Sequence, residues 1–265
     1  MQELKDFWTR YEPYKLHPDD EEYLKWNKDE CCIHLSIEEL RNQYGNNLKY
    51  NETNENFKKI KTNIDKILTN LLVVPFFGNV LNAKIYILMN NPGFETGDYV
   101  DEHEDIEYIN LIKQNLKLEL NTFMCLHKDA IRTGGYNYWS NSARIPKIAK
   151  EYKRISNMSY EKSLEIVKDS ISIIETIPYH SSKLPRKEKL LLNMPSSCLI
   201  KKFVSNYVME RVQSNKAMIF VWRGAIFWDI KEQKNVIIRK TAQQNGYLWD
   251  NEVRTMVDFL QEINL

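Results

Sequence analysis

The chain has 265 residues, of which 43% are apolar and 12% aromatic, so it is long enough to bury one large core or two small ones. No run approaches the roughly 18 apolar residues that a membrane-spanning helix needs, and the first residues lack the layout of a signal peptide. We therefore expect a soluble, cytoplasmic protein that does not bind a membrane. Its four cysteines form no C-x-x-C pair, which argues against a zinc site, an iron–sulfur cluster or a disulfide framework.

The formal charge of +1 is unevenly distributed along the chain. Residues 1–130 contain 15 Lys and Arg against 23 Asp and Glu, whereas residues 131–265 contain 22 against 13. Basic clusters in the second half, at residues 147–154, 183–189 and 201–202, suit contacts with phosphates. They make nucleic acid a candidate partner, although solvated helix faces produce the same pattern.

The beginning of the chain predicts short helices and one longer helix. Residues 1–52 are acidic and rich in aromatic side chains, and we expect them to form a helical extension packed on the body of the protein. Residues 53–265 are assigned to a single α/β domain. From about Thr53, apolar residues recur at the spacing of one helix face and predict a helix that ends before Pro75. These residues are Phe57, Ile60, Ile64, Ile67 or Leu68, and Leu71.

Four short apolar runs are typical of strands that are buried on both faces. They are Lys84–Met89, Ile171–Ile174, Ala217–Trp222 and Asn235–Ile238. Helical patterns at residues 159–170, 196–214 and 250–263 separate or follow them. This alternation indicates an α/β fold with a central four-stranded parallel sheet and helices on both faces. Because such a sheet binds its ligand beyond the carboxyl ends of its strands, we expect the site in the segments that follow these four runs.

The first of these strands leads into the turn Asn90-Asn91-Pro92-Gly93-Phe94, whose Pro and Gly let a ligand approach the backbone closely. A strand that runs into an N-P-G loop, as residues 75–93 do, resembles the first motif of the mismatch-specific and single-strand-selective uracil-DNA glycosylases. Met89 stands where that family has its first Gly. The resemblance extends in order over roughly residues 75–262. It implies a uracil-DNA glycosylase-like fold, DNA as the partner, and no metal or organic cofactor.

Two later segments continue the resemblance. Residues 175–180, Glu-Thr-Ile-Pro-Tyr-His, are similar to the segment in which uracil-specific relatives place the Asn that reads the base. Phe220–Ala225 is similar to the family's strand ending in an L-W-G-x-x-A-like sequence. The second catalytic motif, H-P-S or N-P-S in relatives, is replaced after the last strand by Arg239–Asn245. Asn193-Met194-Pro195-Ser196 looks like N-P-S, but it precedes the third strand and is interpreted as the start of a helix.

The resemblance implies that Asn91 positions the water that attacks the sugar. An ordinary role in the turn remains the alternative for Asn91, and a core role remains the alternative for Phe94, which could otherwise stack on an extruded base. The residues expected to contact the base are Asn90, Pro92, Gly93, Phe94, Glu175 and Tyr136.

Glu175 carries information about the base. An Asn amide can donate to a uracil carbonyl and accept from its ring N–H, whereas a carboxylate only accepts, and the exocyclic amine of cytosine is a donor. Glu175 therefore favours a cytosine-type base over uracil. Held protonated by burial, it could instead donate to the base and assist its departure. The alternative is an exposed acidic residue at a strand end.

Three further features complete the predicted site. His180 could donate to the base oxygen or to a phosphate in place of the missing motif His, although a single loop His is often incidental. The insertion Arg132–Trp139 combines two Gly with three aromatic residues, and it suits either a lid over a bulky base or a packed surface loop. The residues expected to contact the DNA backbone are Lys183, Arg186, Lys187, Arg239 and Lys240.

These features lead to the hypothesis of a monofunctional DNA glycosylase that flips a modified base and leaves an abasic site. Some members of the superfamily remove glucosylated hydroxymethylcytosine from viral DNA in phage defence, and Glu175 with the aromatic insertion fits such a substrate. Two alternatives remain open. One is a uracil or mismatch repair glycosylase, and the other is a catalytically silent nucleic-acid-binding module.

Overall fold

The structure, a computed structural model, describes residues 1–44, 65–95, 97–131, 133–183, 187–240 and 246–263. Over these ranges its strands form one large sheet and one small sheet. In chain order they are β1 Cys32–Ile33, β2 Ile67–Leu68, β3 Phe76–Phe77, β4 Ile85–Met89, β5 Ile171–Glu175, β6 Met218–Val221 and β7 Val236–Ile238. The large sheet has the order β3-β5-β4-β6-β7, and the small sheet pairs β1 with β2.

The large sheet is mostly parallel, with β4 at its centre. β4 pairs with β5 on one side, where Met89 lies opposite Glu175, and with β6 on the other. β7 continues the parallel set beside β6. Every residue of β4, β5 and β6 is buried, as expected for strands that are covered on both faces. The α/β class and the four predicted strands are thus confirmed.

The sheet differs from the prediction by a fifth strand. β3 lies at the edge beside β5 and runs antiparallel to it, with Phe76 opposite Ile174 and Phe77 opposite Ile173. Two residues are too few to produce an alternating pattern in the sequence, so this strand could be identified only from its pairing.

The helices within the described ranges follow the predicted pattern in the second half of the chain. The predicted helices at residues 159–170, 196–214 and 250–263 are confirmed, and a π-helical segment, Val204–Val208, interrupts the second. Pro195 lies in the first turn of this helix, as expected for its start. In chain order the helices are α1 Gln2–Thr9, α2 Pro18–Leu24, α3 Lys28–Cys31, α4 Ile37–Tyr44, α5 Gly97–Glu104, α6 Ile106–Leu116, α7 Gly134–Trp139, α8 Ile145–Ser156, α9 Tyr160–Ser170, α10 Glu188–Leu191, α11 Pro195–Phe203, α12 Met209–Gln213, α13 Ala225–Trp228 and α14 Asp250–Glu262.

The N-terminal helices share the apolar core of the large sheet. Leu4, Phe7 and Trp8 of α1 are buried in the same cluster of side chains as the residues of β4 and β5. Asp20 of α2 is also buried, where its carboxylate accepts a hydrogen bond from Tyr179 Oη at 2.7 Å and another from Ser196 N at 2.9 Å. Asp20 thereby connects the N-terminal region to the segment after β5 and to the start of α11.

The helix predicted from Thr53 to Leu71 is wrong over the part that the structure describes. Ile67 and Leu68 instead form β2, and the amide of Leu68 donates to the carbonyl of His180 at 2.9 Å. Both side chains are fully buried, so a short strand inside the core produced the same apolar spacing as a helix face. Phe57, Ile60 and Ile64 lie outside the described residues. Over the described ranges, no helix is long and apolar enough to span a membrane.

Candidate functional site

The N-P-G turn lies where predicted, directly after β4, and it is fixed to the segment that follows β5. The amide nitrogen of Asn91 donates to Pro92 O at 2.9 Å and to Ser181 Oγ at 2.9 Å. The backbone amide of Ser181 in turn donates to Pro92 O at 3.2 Å. Among the described residues, nothing donates a hydrogen bond to Asn91 Oδ1. The half-buried side chain is therefore oriented by its nitrogen, and its oxygen remains available to accept a hydrogen bond.

Asn90 lies against the turn that follows β6. Its Oδ1 is buried and has no hydrogen-bond partner, and a Cβ added to Gly224 would lie 1.9 Å from it. Gly224 also has a φ of +66°, which side chains other than Gly rarely adopt. Position 224 thus requires glycine both for its positive φ and for the close approach of Asn90, at the point where the loops after β4 and β6 meet. Asn90, predicted to contact the base, has an orphaned oxygen at that meeting point.

Glu175 ends β5 and is only 2% exposed. Its Oε2 is buried and makes no hydrogen bond. Burial raises the pKa of Glu175 to about 8, against the opposing effects of the Arg223 and His180 charges. The carboxyl is therefore protonated at neutral pH and has a proton to donate, which rules out the alternative of an exposed acidic residue at a strand end.

His180 differs from its predicted role. Its Nδ1 lies 2.6 Å from Gly93 O and its Nε2 lies 3.2 Å from Glu102 Oε1, so both ring nitrogens are directed into the protein. Burial lowers the pKa of His180, but the Glu102 and Asp98 carboxylates outweigh this effect and raise it to about 9. A protonated His180 therefore holds the N-P-G turn against α5, and it is not presented to a base or a phosphate as the prediction required.

Glu102 and Asp98, on α5, were missed by the sequence reasoning. Glu102 Oε2 accepts from the amide of Leu72 at 2.6 Å while Oε1 faces His180. Asp98 Oδ2 accepts from the amide of Glu95 at 2.6 Å, and burial raises the pKa of Asp98 well above its ordinary value. The available signal was their spacing of four residues directly after the turn, which places both on one face of a helix.

The aromatic residues expected at the base occupy two different environments. Phe94 is 1% exposed and packs edge-to-face on Tyr99, with 5.6 Å between ring centroids, inside a small core that also contains Leu40 and Leu68. It therefore cannot serve as the predicted stacking platform. Tyr136 is half-buried in α7, where its amide donates to Thr133 Oγ1. Residues 134–139 of the predicted insertion thus form a short helix.

The loop residues nearest the expected base differ in exposure. Gly93 is exposed, and a Cβ added to it would meet no atom within 4 Å. Pro92 is buried, and its carbonyl is used by both Asn91 and Ser181. The turn therefore leaves Gly93 exposed and Asn91 half-buried, while its proline belongs to the packed interior.

The residues expected to contact the DNA backbone have different surroundings. Arg239 is buried, forms an ion pair with Glu252 and stacks on Trp249 at 4.7 Å, so it is not a surface cation as predicted. Exposed Lys187 pairs with Glu30 at 2.6 Å, and exposed Lys240 pairs with Glu232 at 3.0 Å. Lys183 is exposed, and Arg186 lies outside the described residues.

A cavity of about 650 Å³ lies away from these residues, between α1, α2 and α11, and none of the predicted site residues lines it.

Over the described part of the chain, no group of three or more His, Cys, Asp or Glu is placed to hold a metal ion. Comparisons with family models, with curated proteins and with solved structures found no match to this chain.

Proposed function

We propose that the protein is a DNA glycosylase that hydrolyses the N-glycosidic bond of a flipped, modified base. The observation that carries this proposal is the position of two polar side chains at the ends of neighbouring parallel strands. Asn91 follows β4 with an oxygen that can accept a hydrogen bond, and Glu175 ends β5 as a buried carboxylic acid. A mostly parallel sheet with its site at the carboxyl ends is compatible with a uracil-DNA glycosylase-like fold.

The two groups suit the two charges that develop during this reaction. Asn91 Oδ1 accepts a hydrogen bond from a water molecule, whose oxygen attacks C1′ of the sugar as the bond between C1′ and the base nitrogen breaks. The bonding electrons leave with the base, and the proton of Glu175 neutralises it. The water's second proton passes to solvent, and Glu175 is then reprotonated. The products are an abasic sugar and the free base.

Glu175 also supports a modified cytosine as the substrate. A protonated carboxyl can donate to the ring or carbonyl of cytosine, a poor leaving group that benefits from an acid. Since Glu175 is only 2% exposed, a base reaches it only if the surrounding segment moves. The start of α7 lies near Glu175 through Cys125. A Cβ on Gly135 would lie 3.2 Å from the Cys125 sulfur, and the pKa of this thiol is raised by burial and by the neighbouring Glu175 carboxyl. We propose that this helix is the lid over the base, and that the base is a bulky hydroxymethylcytosine that is glucosylated in phage DNA. We also place the enzyme in the cytoplasm.

A catalytically silent nucleic-acid-binding module is the second candidate. The observation that favours it is that two of the predicted site residues are held inside the protein. His180 is committed to Gly93 and Glu102, and Arg239 is committed to a buried ion pair, so neither can stabilise a leaving base. A protonated Glu175 can donate to a carbonyl and accept from a ring N–H as an amide does, so it also fits uracil, and the assay below separates uracil or mismatch repair from the removal of modified cytosine.

An abasic-site assay separates these functions. The purified protein is incubated with plain, uracil-containing, hydroxymethylcytosine-containing and glucosylated DNA, and abasic sites are then cleaved with alkali. We expect breaks in DNA with modified cytosine, and their loss in Asn91→Ala with DNA affinity retained. Asn251→Ala, an exposed position on α14, is the matched control. Breaks only in uracil-containing DNA would indicate repair, and DNA binding without breaks would indicate the silent module.

A further inference from the structure

Three polar groups converge on Gly246, which follows β7 in the chain. A Cβ added to Gly246 would lie 2.9 Å from Tyr138 Oη, 3.3 Å from Arg223 Nη2 and 3.6 Å from Arg144 Nη2. Gly246 also has a φ of +59°, so both its conformation and its surroundings require glycine. Two guanidinium groups and a phenol hydroxyl from distant parts of the chain thus surround one point.

The guanidinium of Arg144 is held rigidly. Its Nε donates to Gly246 O at 2.9 Å, its Nη1 donates to Tyr138 O, and its Cζ lies 3.4 Å from the centroid of the Tyr138 ring. These contacts use Nε and Nη1, and Nη2 lies 3.6 Å from the position that a Cβ on Gly246 would occupy. Because the side chain is buried, the position of Nη2 is fixed before anything binds there.

Neither arginine forms an ion pair at contact distance with a carboxylate in the described part of the chain, although the Arg223 charge lowers the pKa of Glu175 against the larger effect of burial. Five other arginines form such an ion pair, namely Arg10, Arg41, Arg154, Arg239 and Arg254. The adjoining residues 241–245 are Thr-Ala-Gln-Gln-Asn and contain no acidic side chain. Two like charges held close together without an anion repel each other, and burial together with Arg223 lowers the pKa of Arg144.

Tyr138 adds an independent observation. Its Oη is buried and has no hydrogen-bond partner, although it is the group closest to the convergence point. A buried hydroxyl without a partner costs about 1–3 kcal/mol, a cost that a bound acceptor would remove. The site therefore has two cationic groups and one neutral hydroxyl that all lie within 3.6 Å of the same point.

The convergence point adjoins the candidate active site. The amide of Arg223 donates to Leu88 O at 3.2 Å, at the end of β4, and the next residue, Gly224, contacts Asn90. An anion bound between the two arginines would therefore lie at the same edge of the sheet as Asn91 and Glu175.

We propose that Arg144, Arg223 and Tyr138 bind one phosphate group. Guanidinium groups recognise phosphate through paired, charge-assisted hydrogen bonds, and a tyrosine hydroxyl can donate a third. The assignment of this phosphate to the backbone of DNA beside the flipped nucleotide rests on the proposed function. The phosphate of a free nucleotide offers the same chemistry, so the test has separate arms for the two sources.

The first arm measures binding of a labelled oligonucleotide at several salt concentrations. Arg223→Gln removes an exposed charge and should reduce affinity about tenfold, and it should lower the salt dependence of binding by about one phosphate contact. Tyr138→Phe keeps the ring that stacks on Arg144, so it should weaken binding less and leave the salt dependence unchanged. Arg254→Gln, exposed on α14, is the control and should bind as the wild type does. Unchanged affinity and salt dependence in Arg223→Gln would overturn a DNA phosphate site.

The second arm uses inorganic phosphate and deoxycytidine monophosphate as probes. Thermal stabilisation of the wild type by either, lost in Arg223→Gln while DNA binding is unchanged, would assign the site to a small phosphate ligand. No effect of Arg223→Gln in either arm would refute the phosphate site altogether. The glycosylase assay is independent of this outcome. Weakened DNA binding by Arg223→Gln in a protein that excises no base would leave the phosphate site standing and the proposed function refuted. Base excision by the wild type, together with no effect of Arg223→Gln in either arm, would refute the site alone.

Discussion

Glu175→Gln should make the protein more stable at neutral and alkaline pH. The folded protein holds the pKa of this carboxyl at about 8, whereas its ordinary value is 4.5. A raised carboxyl pKa contributes stability below the ordinary value, and this contribution is lost as the pH rises to about 8 because only the unfolded chain ionises. The difference between the two values corresponds to on the order of 5 kcal/mol. Gln has nearly the same shape and cannot ionise.

The assay is urea unfolding, followed by tryptophan fluorescence, at intervals between pH 4.5 and 9. The wild type should lose stability relative to Glu175→Gln across this range, by about 1.4 kcal/mol for each pH unit, and the difference should level off above pH 8. Glu107→Gln, at an exposed position on α6, controls for the change in net charge. Parallel stability curves for the wild type and Glu175→Gln would refute the reasoning, because they would mean that Glu175 ionises normally in the folded protein.

Further substitutions test how the turn is held. Gly224→Ala should destabilise the protein by roughly 2–4 kcal/mol in thermal unfolding, because its Cβ would overlap Asn90 Oδ1 and its φ is positive. Gly93→Ala should be nearly neutral, because no atom lies within 4 Å of its Cβ position. Equal melting temperatures for the two variants would contradict this description of the site. His180→Gln should lower the free energy of unfolding by about 3–5 kcal/mol below pH 6.5, because it leaves Glu102 unpaired. This loss should shrink as the pH rises through 9, because the pKa of His180 is raised to about 9 and only its protonated form pairs with Glu102. A cost that is independent of pH would show that His180 is not charged.

Most of the sheet could be predicted because its strands bury both faces. Continuous apolar runs as short as Ile85–Met89, separated by helical patterns, are typical of the buried strands of a parallel sheet. The same reasoning failed at Ile67 and Leu68, because a short strand inside the core and a helix face can share one apolar spacing. The pairing of β3 depends on contacts with β5 that are remote in sequence.

The candidate site was predictable in its location and only partly in its residues. The resemblance of the turn after a buried strand to the glycosylase N-P-G motif pointed to Asn91, and the resemblance of the segment after the second strand pointed to Glu175. The sequence could not show that Phe94 points into a core or that His180 faces Glu102, because these depend on how α5 packs. The convergence of Arg144 and Arg223 on Gly246 was equally hidden, since it joins three segments that are far apart in the chain.

The most direct test of the central claim is detection of the free base by mass spectrometry. Glucosylated hydroxymethylcytosine DNA is incubated with the wild type and with Asn91→Ala, and the low-molecular-weight products are compared. The proposal predicts that the wild type releases the intact modified base in a one-to-one ratio with abasic sites, and that Asn91→Ala releases essentially none while still binding the DNA. Binding of that DNA by the wild type without release of any base would contradict the proposal and favour the silent module.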